Sequence, residues 1–223
     1  MSEIDESAVE KLFTIKRNQL KMVRRRGYNI QKEEENILST DLKSFLDVYV
    51  PFAKQQKKSL RKILSRSYTN DEGDKLMVFY ADVPRTTKQL GVEDFGDAIR
   101  TADKYKAKNL VLITPVDLSS AVNKKIQELE SYNIYVFLEN EMTYDPTEHY
   151  FTPEHKALGV KEQREFLKRN DLSIEQLPII LTSDMMVRYY GFRPGQIIEI
   201  NRTNLYDTIV QNSLSYRAVK TDM

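Results

Sequence analysis

The sequence contains no cysteine and only two histidines. Without cysteine there is no disulfide scaffold, no thiolate zinc site and no cysteine nucleophile, and the chain suits a reducing compartment. Two histidines leave few ligands for a metal. Glycine is sparse as well, at seven residues. Neither GxGxxG nor GxxxxGK[ST] occurs, so no dinucleotide loop or P-loop is signalled, and Gly73, Gly91 and Gly96 read as turn or cap glycines. Charge of one sign is missing too: 34 Lys and Arg face 33 Asp and Glu. A near-neutral chain has no global basic field with which to hold nucleic acid alone, so any DNA contact must be local or borrowed from a partner. No apolar run approaches the roughly 18 residues of a membrane span. The first residues, MSEIDESAVE, are acidic where a signal or transit peptide would be basic. The expectation is an intracellular soluble protein with no membrane partner.

What is present is an ordinary globular composition, 40% hydrophobic and 30% charged over 223 residues, enough for one large domain or two small ones. Residues 5–26 set Val9, Leu12, Phe13, Leu20 and Val23 on one helical stripe, widened by Ile15 and Met22 and interrupted by Lys16. Arg24, Arg25, Arg26 and Gly27 mark its C-terminal end. A second helix carries Leu42, Phe45, Leu46 and Tyr49 and is expected to stop near Val50, because Pro51 follows. SLRKILSRSY reads as a strand, NDEG as a turn and KLMVFYA as a second strand, giving a hairpin. A helix over 92–106 then feeds the apolar strand LVLIT, and a helix opened by Ser119 and Ser120 and running to Tyr132 feeds the strand IYVFL. Two βαβ crossovers on one sheet make an α/β domain. Periodicity lapses over 140–153, where two prolines fall, placing the boundary between domains 1–143 and 144–223. Beyond it, helices at 161–169 and 184–190, a helical turn at 173–177 and strands at 196–200 and 215–219 predict a small α+β module.

The residues point away from catalysis. His149 and His155 lie near Asp145, Glu148 and Glu154 but without the i, i+4 spacing of a zinc helix, and they read as structural histidines between the domains. A magnesium-dependent nuclease of the restriction-enzyme type needs an Asp followed on the next strand by Glu-x-Lys. Asp82 ends one strand, but LVLITP supplies no carboxylate before Asp117. No catalytic, cofactor or metal residue is therefore assigned. Lys54, Lys57, Lys58, Arg61, Lys62 and Arg66 form a basic cluster that reads as a solvated face, with phosphate contact as the alternative. Ser119 and Ser120 at a helix start, with Lys124 and Lys125 following, have the chemistry for a DNA phosphate and equally that of an ordinary N-cap.

The strongest local signal is SDMMVRYYGFRPGQIIEINR. Ser183 or Asp184 caps a two-turn helix, Gly191 ends it, Pro194-Gly195 has the residue order of a type II turn, and a strand follows. Tyr189, Tyr190 and Phe192 are expected to form an exposed aromatic face for a protein partner, or else to pack in the core.

At these residues the chain resembles the C-terminal assembly domain of the fifth subunit shared by eukaryotic nuclear RNA polymerases, a domain with a small archaeal counterpart. The resemblance runs from PEHKALG through KEQREFLKRNDLSIEQLP to Asp184, Tyr189, Gly191, Gly195, Gln196, Ile200 and Arg202, in order and spacing. MVRRRGYNIQKEEE resembles the eukaryotic form's N-terminal jaw domain, which the archaeal counterpart lacks. The resemblance implies an inactive, restriction-endonuclease-like jaw plus a small assembly domain. It implies a non-catalytic subunit of a multisubunit DNA-directed RNA polymerase, docked on the largest subunit among other subunits, with the jaw beside downstream duplex DNA. Carried over residue by residue, partner binding falls on His155, Leu177, Pro178, Asp184, Tyr189, Gly191, Gly195, Gln196 and Arg202. Proximity to DNA falls on the family's Thr-Pro-Ser-Ala helix start, for which Leu118, Ser119, Ser120 and Ala121 stand here, with Lys124 and Lys125 following on the same helix as the residue reading above has them. The chain itself holds no cofactor; magnesium and zinc belong to the large subunits. Location in the nucleus is implied, or in a viral factory or virion for a viral homologue. The alternative is a free-standing transcription regulator or adaptor that kept the docking module. Two departures stand out: Met185 replaces the family's proline after the helix-opening Asp, and TNLYDTIVQNSLSYR replaces its Ser-Glu-Thr-x-Gly-Arg-Tyr segment.

Overall fold

The structure, a computed structural model, describes residues 6–84, 86–204 and 211–222. The heart of the divergent segment, 205–210, lies outside the described residues. The chain divides into two compact units, Met1–Tyr144 and Asp145–Met223.

The first unit opens with α1 (Glu6–Arg25), closed by Gly27 at φ +80°. Then follow β1 (Tyr28–Asn29), α2 (Lys32–Ser39), α3 (Leu42–Gln56) and α4 (Leu60–Leu64). The hairpin is β2 (Arg66–Asn70) and β3 (Lys75–Tyr80), and the crossovers are β4 (Gln89–Leu90), α5 (Val92–Tyr105), β5 (Asn109–Thr114), β6 (Asp117–Leu118), α6 (Ser120–Glu128) and β7 (Asn133–Leu138). The main sheet runs β1-β2-β3-β5-β7. Its first two pairings are antiparallel and its last two parallel, with Val78 beside Val111 and Val111 beside Tyr135. Every residue of β5 is buried, as a central strand covered on both faces must be. One face packs against α5 and α6 through Phe95, Ala98, Ala102 and Val122.

Three expectations for this unit are corrected. First, SLRKILSRSY is not one strand: Ser59 accepts a bond from the Lys62 amide and opens the short helix α4, leaving only Arg66–Asn70 as strand. Second, helix α3 does not end before Pro51 but continues to Gln56. Proline removes one helical bond, yet Asp47 and Pro51 are exposed, so water can serve the orphaned carbonyl, while Phe45 and Ala53 anchor the helix on either side. Third, Lys16 does not interrupt the buried face of α1. It is 1% exposed and its ammonium lies 2.6 Å from Glu34 Oε1 of α2, itself 1% exposed. Lys16 also donates to Gln19 Oε1, the Leu64 carbonyl and the Tyr68 hydroxyl, and Tyr68 donates to Glu34. This network ties α1, α2, α4 and β2 together.

The second unit contains β8 (Glu154–Ala157), α7 (Val160–Arg169), β9 (Ile179–Leu181), α8 (Met185–Tyr190), β10 (Ile197–Asn204) and β11 (Gln211–Lys220). Its sheet order is β8-β10-β11-β9, antiparallel except for β11 with β9. Ile198, Ile200 and Val219 pack with Val187 of α8 on one face; Ile197 and Ala218 pack with Leu177, Phe166 and Leu167 on the other. The short strands β8 and β9 add to the two that the sequence pattern predicts. No helix among the described residues is long and apolar enough to cross a membrane.

Candidate functional site

The motif of the second unit is first a device for building that unit. Asp184 caps α8, its Oδ1 accepting from the Met186 amide at 2.8 Å and the Val187 amide at 3.4 Å. Gly191, at φ +72°, ends the helix. Arg193 to Gln196 is closed by a bond from the Gln196 amide to the Arg193 carbonyl, with Pro194 second and Gly195 third at φ +84°, the order a type II turn demands. Gln196 then accepts the Arg193 amide on its side chain at 2.7 Å and the Val219 amide on its carbonyl. Leu177 is buried, while the Pro178 carbonyl receives the Ala218 amide and its ring is exposed.

His155 sits on β8, opposite Ile200, with Nδ1 2.8 Å from the Pro153 carbonyl. Burial pulls its pKa below the ordinary 6.5; the Pro153 bond and Asp184 pull it back up, and Arg202 and Arg217 push it down. Asp184 and Arg202 are therefore each within electrostatic reach of His155, and Arg202 is exposed. His155 thus belongs to the fabric of the second unit's own sheet, whereas His149 is exposed and accepts the Phe151 amide.

The exposed aromatic face is overturned. Tyr189 is fully buried because the two-turn helix turns it inward, and Phe192, beyond the helix end at Gly191, is 9% exposed in a cluster with Val187, Ile198 and Ile200; Tyr190 stacks on Phe192 at 5.1 Å. Surface apolar groups lie elsewhere in the unit, at Tyr150, Phe151, Val160, Ile179, Leu181 and Leu214. Their only trace in the sequence is the pair Tyr150-Phe151 in an aperiodic segment. Beside α7 there is also an open groove of about 570 Å³ with Leu158, Phe166 and Tyr216 in its wall and Lys156, Glu162 and Glu199 among its polar groups.

In the first unit, Ser119 is the N-cap of α6 by its carbonyl, which accepts the Val122 and Asn123 amides; its side chain makes no capping bond. Ser120, Lys124 and Lys125 are exposed on the same helix. The basic cluster is split: Arg61 bonds Glu139 at 2.8 Å, Lys62 lies 3.8 Å from Asp82, and Arg66 bonds Gln31, whereas Lys54, Lys57 and Lys58 are exposed. Half of that charge is thus engaged within the unit. Among the described residues no three Asp, Glu or His side chains gather as a metal site.

Two α/β units of this kind match, in order, the two domains of one family of DNA-directed RNA polymerase subunits. Residues 6–102 match the family model for RNA polymerase Rpb5, N-terminal domain, and residues 144–219 that for RNA polymerase Rpb5, C-terminal domain. The chain belongs to the Rpb5 family and is a subunit of DNA-directed RNA polymerase. Among similar proteins, the DNA-directed RNA polymerases I, II, and III subunit RPABC1 of Caenorhabditis briggsae is 29% identical over 201 residues, covering 89% of this chain and 92% of the relative. The DNA-directed RNA polymerase subunit 5-like protein 1 of Arabidopsis thaliana is 28% identical over 207 residues, covering 92% and 94%. The DNA-directed RNA polymerases IV and V subunit 5B of the same plant is 26% identical over 222 residues, covering 97% and 94%.

Proposed function

We propose that the chain serves polymerase assembly and DNA handling without chemistry of its own: its second unit docks on the largest subunit, and its first unit is a jaw beside downstream duplex DNA, in the nucleus. The observation that carries this reading is the order of the two family matches on two separate units. The first unit would be an endonuclease-like scaffold without an active site. What supports this is the residue content of its parallel strands, since Asp82 follows β3 next to Lys62 while the next strand of the sheet, β5, reads NLVLIT and carries no Glu-x-Lys to hold magnesium. For the second unit, Pro178, Asp184, Gly195 and Arg202 are the exposed members of the partner set, and they are the ones expected to touch a partner. Leu177, Tyr189, Gly191, Gln196 and His155 would act by fixing the unit's shape.

For DNA, Ser119, Ser120, Lys124 and Lys125 would face phosphates. A few weak contacts suffice when the jaw is tethered near the duplex, since tethering raises effective concentration. Crosslinking of the purified polymerase through surface lysines tests the division of roles. Lys156, Lys161 and Lys168 should join to the largest subunit. Links to that subunit confined to lysines of residues 1–144 would overturn it.

A further inference from the structure

The sheet of the second unit has two edges, and they are finished differently. At β9 the outward carbonyl of Leu181 accepts the Asp184 amide, and that of Ile179 accepts Arg217 Nη1 at 3.2 Å. At β8 nothing comparable occurs among the described residues. The Leu158 amide bonds the Ile197 carbonyl, and the antiparallel register pairs Lys156 with Glu199 and His155 with Ile200. Because inward and outward groups alternate along an antiparallel ladder, Lys156 points its main chain at β10, whereas His155 and Ala157 point theirs away from the sheet. Among the described residues, these outward N–H and C=O groups have no main-chain partner. An open edge of this kind is a template for another strand, and proteins that are not using it cover or blunt it.

The chain on either side of this edge exposes large apolar side chains. Tyr150 and Phe151, just before β8, are 68% and 64% exposed, and Val160, just after it, is 71% exposed. Unpaired main chain and exposed apolar side chains therefore adjoin one another along the chain at β8. We infer that the β8 edge receives an extended segment of the polymerase subunit on which this unit docks, adding a fifth strand to the sheet, with apolar side chains at its ends to meet Tyr150, Phe151 and Val160. This inference rests on the docking role proposed above and names the surface and the kind of segment. At about 3.3 Å per residue, some six to eight residues would span the rim. A second copy of this chain fits poorly. The self-pairing that uses all four outward groups sets His155 against Ala157 and so places Lys156 directly opposite Lys156, and like charges so placed repel.

The test is residue-resolved hydrogen–deuterium exchange on the full chain, free and within purified polymerase. In the free chain the His155 and Ala157 amides should exchange faster than that of Lys156; in the polymerase both should slow by about tenfold or more. Ala157→Pro removes one outward donor and leaves the Lys156 ladder bonds alone. It should lower recovery of the largest subunit about tenfold while the free chain's unfolding midpoint holds. Tyr150→Ser with Phe151→Ser should act in the same direction without touching the backbone. If the wild-type chain recovers the largest subunit but the two amides stay unprotected, the edge is not the docking strand and only this inference falls. Self-association of the free chain that protects those amides would also overturn it. Failure of the wild-type chain to recover the largest subunit would instead defeat the docking role itself.

Discussion

Replacing Lys16 by methionine should destabilise the first unit by about 3–5 kcal/mol, the cost of stranding a buried carboxylate. At 2.6 Å and an effective dielectric near 20, the Lys16–Glu34 attraction is about 6 kcal/mol. Desolvation of each ion costs several kcal/mol, so the pair is near balance as a whole and expensive only when halved. Without Lys16, Glu34 keeps the Tyr68 hydroxyl at 2.9 Å and a distant Arg66 at 3.9 Å, and its Oε2 has no hydrogen-bond partner. Glu34→Leu combined with Lys16→Met should therefore cost less than Lys16→Met alone. Urea unfolding of the full chain, following the first unit's transition, measures both variants. If the two single costs simply add in the double variant, or if Lys16→Met costs under about 1 kcal/mol, the pair is not the closed network described.

Gly195→Val places a β-branched residue at φ +84°, a strained backbone for it although a Cβ meets no atom within 4 Å; that strain should cost about 1–2 kcal/mol in the second unit's unfolding, and recovery of the largest subunit should fall with it. His155 titrates below 6.5 when folded, so the unfolded chain takes up its proton first: stability is complete above that pH and falls as pH drops through the window beneath it, a decline that His155→Gln should reduce in pH-dependent unfolding of the second unit. Lys124→Glu with Lys125→Glu should leave polymerase assembly intact and weaken crosslinking to downstream duplex, more at low salt than at high salt; unchanged crosslinking across a salt series would make α6 an ordinary helix. The purified chain should not nick DNA with magnesium; nicking that disappears on Asp82→Ala would contradict the non-catalytic reading.

The alternation of α5, β5, α6 and β7 was legible because each element has a clean period and β5 is a continuous apolar run with all residues buried. The Asp184 cap and the Gly195 turn were legible because each rests on a local rule. Lys16 looked like a flaw in a stripe because its partner, Glu34, comes 18 positions later on an acidic helix whose packing no local pattern announces. Helix α4, with five residues, and strands β8 and β9, with four and three, are too short to show periodicity. Their existence is decided by a serine cap and by the neighbours they pair with. The inward side of α8, which carries Tyr189, is hidden from the sequence for a related reason, since which side of a two-turn helix meets the sheet is set by tertiary packing.

Affinity purification of the tagged full-length chain from its own cells, with quantitative mass spectrometry and crosslinking, tests most directly whether the second unit holds this Rpb5-family chain in the polymerase. Docking through that unit predicts fixed stoichiometry with the two largest polymerase subunits and crosslinks to the largest from residues 145–223. A chain recovered free of those subunits, or attached to them only through residues 1–144, would contradict it.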